Sequence, residues 1–90
     1  MKKAVLTVIG KDMVGILAKV SAMCASHNAN VVEVTQSVMQ DMFAMIMLID
    51  IGALSTDFSV LSDDLTRLGD EMDLSIHVMH EDIFNSMHRI

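Results

Sequence analysis

The sequence predicts an α+β domain of ferredoxin-like βαββαβ order, with a four-stranded antiparallel sheet (order 4-1-3-2) and two helices on one face. Three observations lead there. Ninety residues suffice for one domain and little more. Hydrophobic periodicity switches between strand-like and helix-like stretches so that the second half of the chain repeats the first, the split βαβ pattern. Polarity is unequal among the strands, which separates central ones from edges.

The elements follow in order. "KAVLTVI", residues 3–9, is β-rich, stops at Gly10 and reads as strand one. From Met13 to about His27 the period changes: Ile16, Leu17, Val20, Met23, Cys24 and His27 fall at helical offsets on one face, and Asp12 occupies a natural N-cap position. Asn30 to Gln40 is strand two, Asp41 allows a tight turn, and Met42 to Ile51 is strand three. After a loop from Gly52, Thr56 or Asp57 can cap a helix whose stripe is Phe58, Leu61, Leu65, Leu68 and Met72. Gly69 either ends that helix or sits in its last turn. Leu74 to His80 alternates as strand four. Strands one and three are apolar on both sides and belong in the centre, whereas two and four carry Glu33, Thr35, Gln36, Ser75 and His77. Right-handed crossovers then place both helices on one side of the sheet.

That arrangement leaves the opposite sheet face apolar and uncovered. Hydrophobic residues make up 52% of the chain and mean hydropathy is +0.48, more than a lone small domain needs, so a homodimer or higher oligomer is expected. Candidates to cover the bare face are a partner subunit and the amphipathic tail 81–90, with Ile83, Phe84, Met87 and Ile90; the domain core is expected over residues 3–80. Strand two is the edge expected to pair, because an edge left bare invites uncontrolled association.

Charge and composition exclude several functions. A net charge of −6, six scattered basic residues and no Trp or Tyr argue against nucleic acid, which demands clustered cations and stacking surfaces. The lone Cys24 allows no internal disulfide and no zinc-finger spacing. The N-terminal "MKKAVLTVIGKD" imitates a signal peptide, but its apolar run is too short. The longest strongly apolar stretch, Met42 to Ile49, falls far below the ~20 residues of a membrane helix. A cytoplasmic protein without a membrane anchor is expected.

The informative segment is "VIGKDMVGI", Val8 to Ile16. Gly10 and Gly15 have the glycine spacing of a phosphate-cradling loop, yet Ile16 and Leu17 stand where its lysine and hydroxyl belong, and Asp12 repels phosphate. Taken singly, each glycine also has a purely structural explanation: Gly10 as a strand end with unusual dihedrals, Gly15 as a point of close helix–sheet packing. Free N–H groups at a helix start attract a carboxylate, while Asp12 suits an ammonium group. A free amino acid carries both.

"GKDMVGILAKVSAMCASHNANVVEVTQ", Gly10 to Gln36, resembles the start of an ACT domain: a strand, Gly-x-Asp-x-x-Gly followed by two apolar residues, a helix, and Asn plus an apolar residue opening the second strand. Here these are Gly10, Asp12, Gly15, Ile16, Leu17, Asn30 and Val31. The resemblance runs to Met79 and is nearest to small stand-alone ACT proteins related to the glycine-cleavage regulator type. Val14 stands where many such loops have proline, which makes this loop less rigid. The resemblance implies a non-catalytic regulatory module that dimerises, binds an amino acid or similar small ligand at the subunit interface, and acts on a partner protein. Carried over by position, it implies ligand-binding roles for Asp12, Met13, Val14, Gly15 and Asn30, with no cofactor. Asn30 alternatively serves as a turn residue. A structural or adaptor domain of the same fold, binding no small molecule, is the other reading.

Other chemistry is weakly represented. His77, His80 and Glu81 cluster in sequence with His88 near, but on a strand His77 and His80 point to opposite faces and cannot chelate together. Cys24 belongs to the apolar helix stripe and is expected to be buried and inert. Ser21 and Ser26 have no base beside them. His27 is expected to close its helix. Asp63, Asp64, Asp70, Glu71 and Asp73 read as a solvated helix face, and the ten methionines, Met39, Met42, Met45 and Met47 among them, mainly as core filler, with an adaptable interface as the alternative for those on strands two and three.

Overall fold

The computed structural model describes residues 2–11 and 14–87. The elements are β1 (Lys3–Lys11), α1 (Ile16–Ser26), β2 (Asn30–Met39), β3 (Met42–Asp50), α2 (Phe58–Met72), β4 (Ser75–His80) and α3 (Glu81–Met87). The sheet is antiparallel with order β2-β3-β1-β4, as the polarity of the strands predicts.

Alternation along the strands decides which residues meet the helices. Ala4, Leu6 and Val8 of β1 and Phe43, Met45, Met47 and Ile49 of β3 form the core with Ile16, Val20 and Cys24 of α1 and Leu61, Leu65 and Met72 of α2. Cross-strand partners share a face, so Lys3, Val5, Thr7 and Ile9, with Ala44, Ile46 and Leu48, look the other way. In β4, Ile76 and Val78 join the core side, whereas His77, opposite Thr7, lies on the far side. Both long helices cover one face.

The element boundaries differ from expectation in instructive places. β1 continues through Gly10 to Lys11, because both residues still pair with β3, opposite Phe43 and Met42. The first helix begins at Ile16, not Met13, and its N-cap is Gly15, not Asp12. Leu17 is 39% exposed and stands off the buried stripe. Gly69 sits in the last turn of α2, the second of its two expected places, and the left-handed turn that ends this helix falls on Asp73 (φ 58°). β2 departs from regular register between Val31 and Glu33, which twists an edge strand at its start. Part of the tail forms α3, packed against β1 and β4, with Ile83 and Met87 exposed; Ile90 and His88 lie outside the described residues.

Among the described residues no helix is long and apolar enough to cross a membrane.

Candidate functional site

The turn from β1 into α1 is built around its two glycines, for different reasons. A Cβ on Gly10 would collide with Cδ2 of Leu74, a core residue, so a bare α-carbon lets the end of β1 lie against the α2–β4 junction. Gly10 therefore has a packing explanation. Gly15 does not: its φ of 86° is left-handed, and no atom of the described residues lies within 4 Å of where its Cβ would stand. The expectation that Gly15 lets the helix approach the sheet fails. Glycine is favoured there by backbone conformation, and the described residues leave the space beside it open.

Gly15 caps α1 with no side-chain hydrogen bond. The first intrahelical bond closes from the Lys19 N–H to the Gly15 carbonyl at 3.0 Å. Among the described residues no side chain caps the earlier N–H groups of this turn, and a helix start left in that state attracts an anion. Val14 is fully exposed. Asp12 and Met13, the other loop residues expected to bind ligand, lie outside the described residues.

Asn30 is exposed and opens β2. The sequence suggests that it lies at the same end of the sheet as the loop. The register reverses this: Asn30 stands opposite Asp50, and Asp50 opposite Lys3, whereas the loop leaves from Lys11 opposite Met42. Eight residue steps of about 3.3 Å put these ends roughly 26 Å apart. The antiparallel β2–β3 hairpin, following a helix that carries the chain back, makes this unavoidable. Within one chain, Asn30 and Gly15 do not come together.

A polar node missed by sequence reasoning joins the two long helices. His27, 6% exposed, is the C-cap of α1. Its Nδ1 lies 2.7 Å from Oγ1 of Thr56, and its Nε2 lies 2.8 Å from Oδ2 of Asp64. With the proton on Nε2, that N–H donates to the carboxylate and the Thr56 hydroxyl donates to Nδ1. Asp64 also accepts from Nη1 of Arg67 at 3.2 Å. Asp64 is therefore not part of a solvated face but a half-buried tether, 37 residues from its partner. Its place beside the Leu61–Leu65 stripe was the available sequence signal. Nearby, Asn28 (φ 60°) turns the chain after α1 and donates from Nδ2 to the Ala53 carbonyl at 2.7 Å, and the Ser55 N–H donates to the His27 carbonyl at 3.0 Å, so with Thr56 the end of α1 is pinned to the β3–α2 loop at three points.

Among the described residues rival chemistry does not assemble. Cys24 is buried, and burial pushes its thiol up to about 11, leaving little thiolate at neutral pH. His77 faces away from the core, 3.2 Å from the Ser75 hydroxyl. His80 pairs with Ala4 on the opposite face, its ring stacked on Phe58 with centroids 4.3 Å apart. The two histidines cannot share a metal. Ser21 and Ser26 bond to carbonyls in their own helix.

Comparison with known proteins agrees with this architecture. The model of the ACT domain matches residues 2–79. A UPF0237 protein of Methanococcus maripaludis is 48% identical over 90 residues, covering all of both chains. One from Listeria innocua is 46% identical, covering 98% of this chain and 99% of its own. Among solved structures, an ACT domain protein from Streptococcus pneumoniae superposes with a TM-score of 0.80 at 30% identity, over 92% of this chain and 93% of that one. A putative glycine cleavage system transcriptional repressor shares the fold with a TM-score of 0.74 at 21% identity, over 88% of this chain and 45% of that one.

Proposed function

This chain belongs to the ACT domain family and, within it, to the small UPF0237 proteins, and from that premise we propose a non-catalytic regulatory module. It pairs with a second copy and holds a small carboxylate, an amino acid by preference, between the two. The β1–α1 turn of one copy supplies the helix-start N–H groups and the side chain of Asp12. The second copy supplies Asn30. Occupancy of this shared site then changes how the pair engages a protein partner.

The observation that carries this reading is the opposite placement of Asn30 and Gly15 in the sheet. β2 is an edge strand, ten residues long, with every position except Val34 exposed. When two such edges pair antiparallel about a two-fold axis, the start of one β2 lies beside the end of the other. That pairing carries the second copy's Asn30 to the loop end of the first sheet. Residues distant within one chain become neighbours only in the pair. The open space at Gly15 and the uncapped helix start support a ligand there, and a zwitterion meets both the N–H donors and Asp12. The buried, largely protonated thiol and the separated histidines support a role without catalysis.

A thermal-shift screen of the common amino acids tests it. A ligand that binds only the folded pair adds about 2.7 kcal/mol at a hundredfold excess over Kd. In a domain of this size each kcal/mol raises Tm by roughly 4–8 °C. The hit should vanish in Asn30→Ala, which alters only an exposed edge residue, and in Asp12→Ala and Gly15→Val. If millimolar amino acids and related carboxylates leave Tm unmoved, the adaptor reading of the same fold takes its place.

A further inference from the structure

The node at His27 has the connectivity of a proton relay as well as that of a tether. One ring nitrogen meets a carboxylate, Oδ2 of Asp64 at 2.8 Å, and the other meets a hydroxyl, Oγ1 of Thr56 at 2.7 Å. The ring is buried, Asp64 is half-buried, and Thr56 is open to solvent. We infer that Thr56 is a nucleophile that accepts an acyl group from an activated ester or thioester, with His27 as its base and Asp64 positioning that base.

The bonds assign the roles. An ionised carboxylate can only accept, so the contact with Asp64 places the ring proton on Nε2 and leaves the lone pair of Nδ1 to the Thr56 hydroxyl. A hydroxyl that already donates to a base, itself oriented by a third group, is activated towards a carbonyl carbon. In the transfer the bond from Oγ1 to that carbon forms and the donor's C–O or C–S bond breaks. The proton passes from Oγ1 to Nδ1, and from there to the leaving alkoxide or thiolate. Asp64 offsets the charge that His27 carries in between. Helix α2 begins directly after the nucleophile. The Val60 and Leu61 N–H groups close on the Asp57 carbonyl at 3.0 and 3.3 Å, and Asp57 supplies no side-chain cap. The Phe58 and Ser59 N–H groups therefore have no acceptor among the described residues, and donors of that kind stabilise a developing oxyanion.

Charge and burial restrict the reaction. Asp57 follows Thr56 in the chain and Asp64 lies across the ring, so donors that are anionic at the carbonyl, such as acyl phosphates, are repelled. Hydrolysis of the new ester needs a water on Nδ1, but the ring is buried beneath it. The outcome is one modification per chain and not a catalytic cycle. It also alters the tether, because an ester oxygen has no proton to donate and Nδ1 loses its bond where α1 meets the β3–α2 loop.

Treating the full chain with p-nitrophenyl acetate at neutral pH, and mapping the acetyl group by peptide mass spectrometry, tests the inference. Thr56 should be labelled ahead of Ser55 and Ser59, exposed hydroxyls of the same segment with no base beside them. His27→Gln should slow labelling of Thr56 by on the order of 10²-fold. Asp64→Asn, which keeps an acceptor but removes the charge, should slow it as well. Thr56→Ser should still be labelled at position 56, and Thr56→Val should not. Circular dichroism identifies any variant that has lost the fold, and the comparison with Ser55 and Ser59 needs no variant. Labelling of Thr56 in the wild type no faster than of those serines overturns the nucleophile. Undiminished labelling in a folded His27→Gln protein overturns the relay, and either result leaves the node as a tether alone.

Discussion

Replacing Asp64 by alanine separates two pictures of helix α2. If its acids form a uniformly solvated face, Asp64→Ala and Asp63→Ala should behave alike, each shifting stability by less than about 0.5 kcal/mol. The structure makes them unequal. Asp63 is exposed, but Asp64 holds Nε2 of the buried His27 at 2.8 Å. Without the carboxylate, that N–H loses its partner while the ring remains 6% exposed. An unsatisfied buried donor costs about 1–3 kcal/mol. The Arg67 contact adds little, because the arginine side chain is 69% exposed. Asp64→Ala should therefore cost about 2 kcal/mol, and Asp64→Asn, which keeps an acceptor, distinctly less. Urea unfolding followed by circular dichroism, at one fixed protein concentration because association shifts apparent stability, measures the difference. Indistinguishable midpoints for the alanine variants at 63 and 64 would refute the tether.

The remaining expectations are simpler. Leu65→Ala and Val20→Ala, each removing a fully buried side chain at the centre of its helix stripe, should cost about 2–5 kcal/mol in the same assay, against less than roughly 0.5 for Asp70→Ala. Cys24 should resist thiol reagents in the native protein at pH 8, and rapid labelling would contradict its burial. The same thiol gives a pH dependence: burial raises its folded pKa from the ordinary 9.0 to about 11. The unfolded chain therefore loses the proton first as pH rises. This contribution is complete below pH 9 and lost between 9 and 11, so stability should fall across that window, and less steeply in Cys24→Ala.

Much of this protein was legible before any coordinates. Element order, strand order and the apolar stripes depend on local periodicity and on polarity contrasts between strands, and both are written along the chain. Val20 and Leu65 are buried where the pattern puts them, because a residue's face within a helix follows from spacing alone. The opposite faces of His77 and His80 follow from the same rule. What the sequence could not decide depends on distance through space. Nothing local in "KDMVGI" tells that β1 pairs through Lys11 and that Gly15 turns left-handed before the helix starts, since pairing partners on β3 hold the strand extended. Nothing near Asp64 announces His27, because two helices must first pack before the carboxylate finds the ring. The sharpest case is Asn30. The motif names it together with the glycine loop, but antiparallel pairing of β2 with β3 sends it to the far end of the sheet, and in the proposed pair it is the second chain that brings it to the loop.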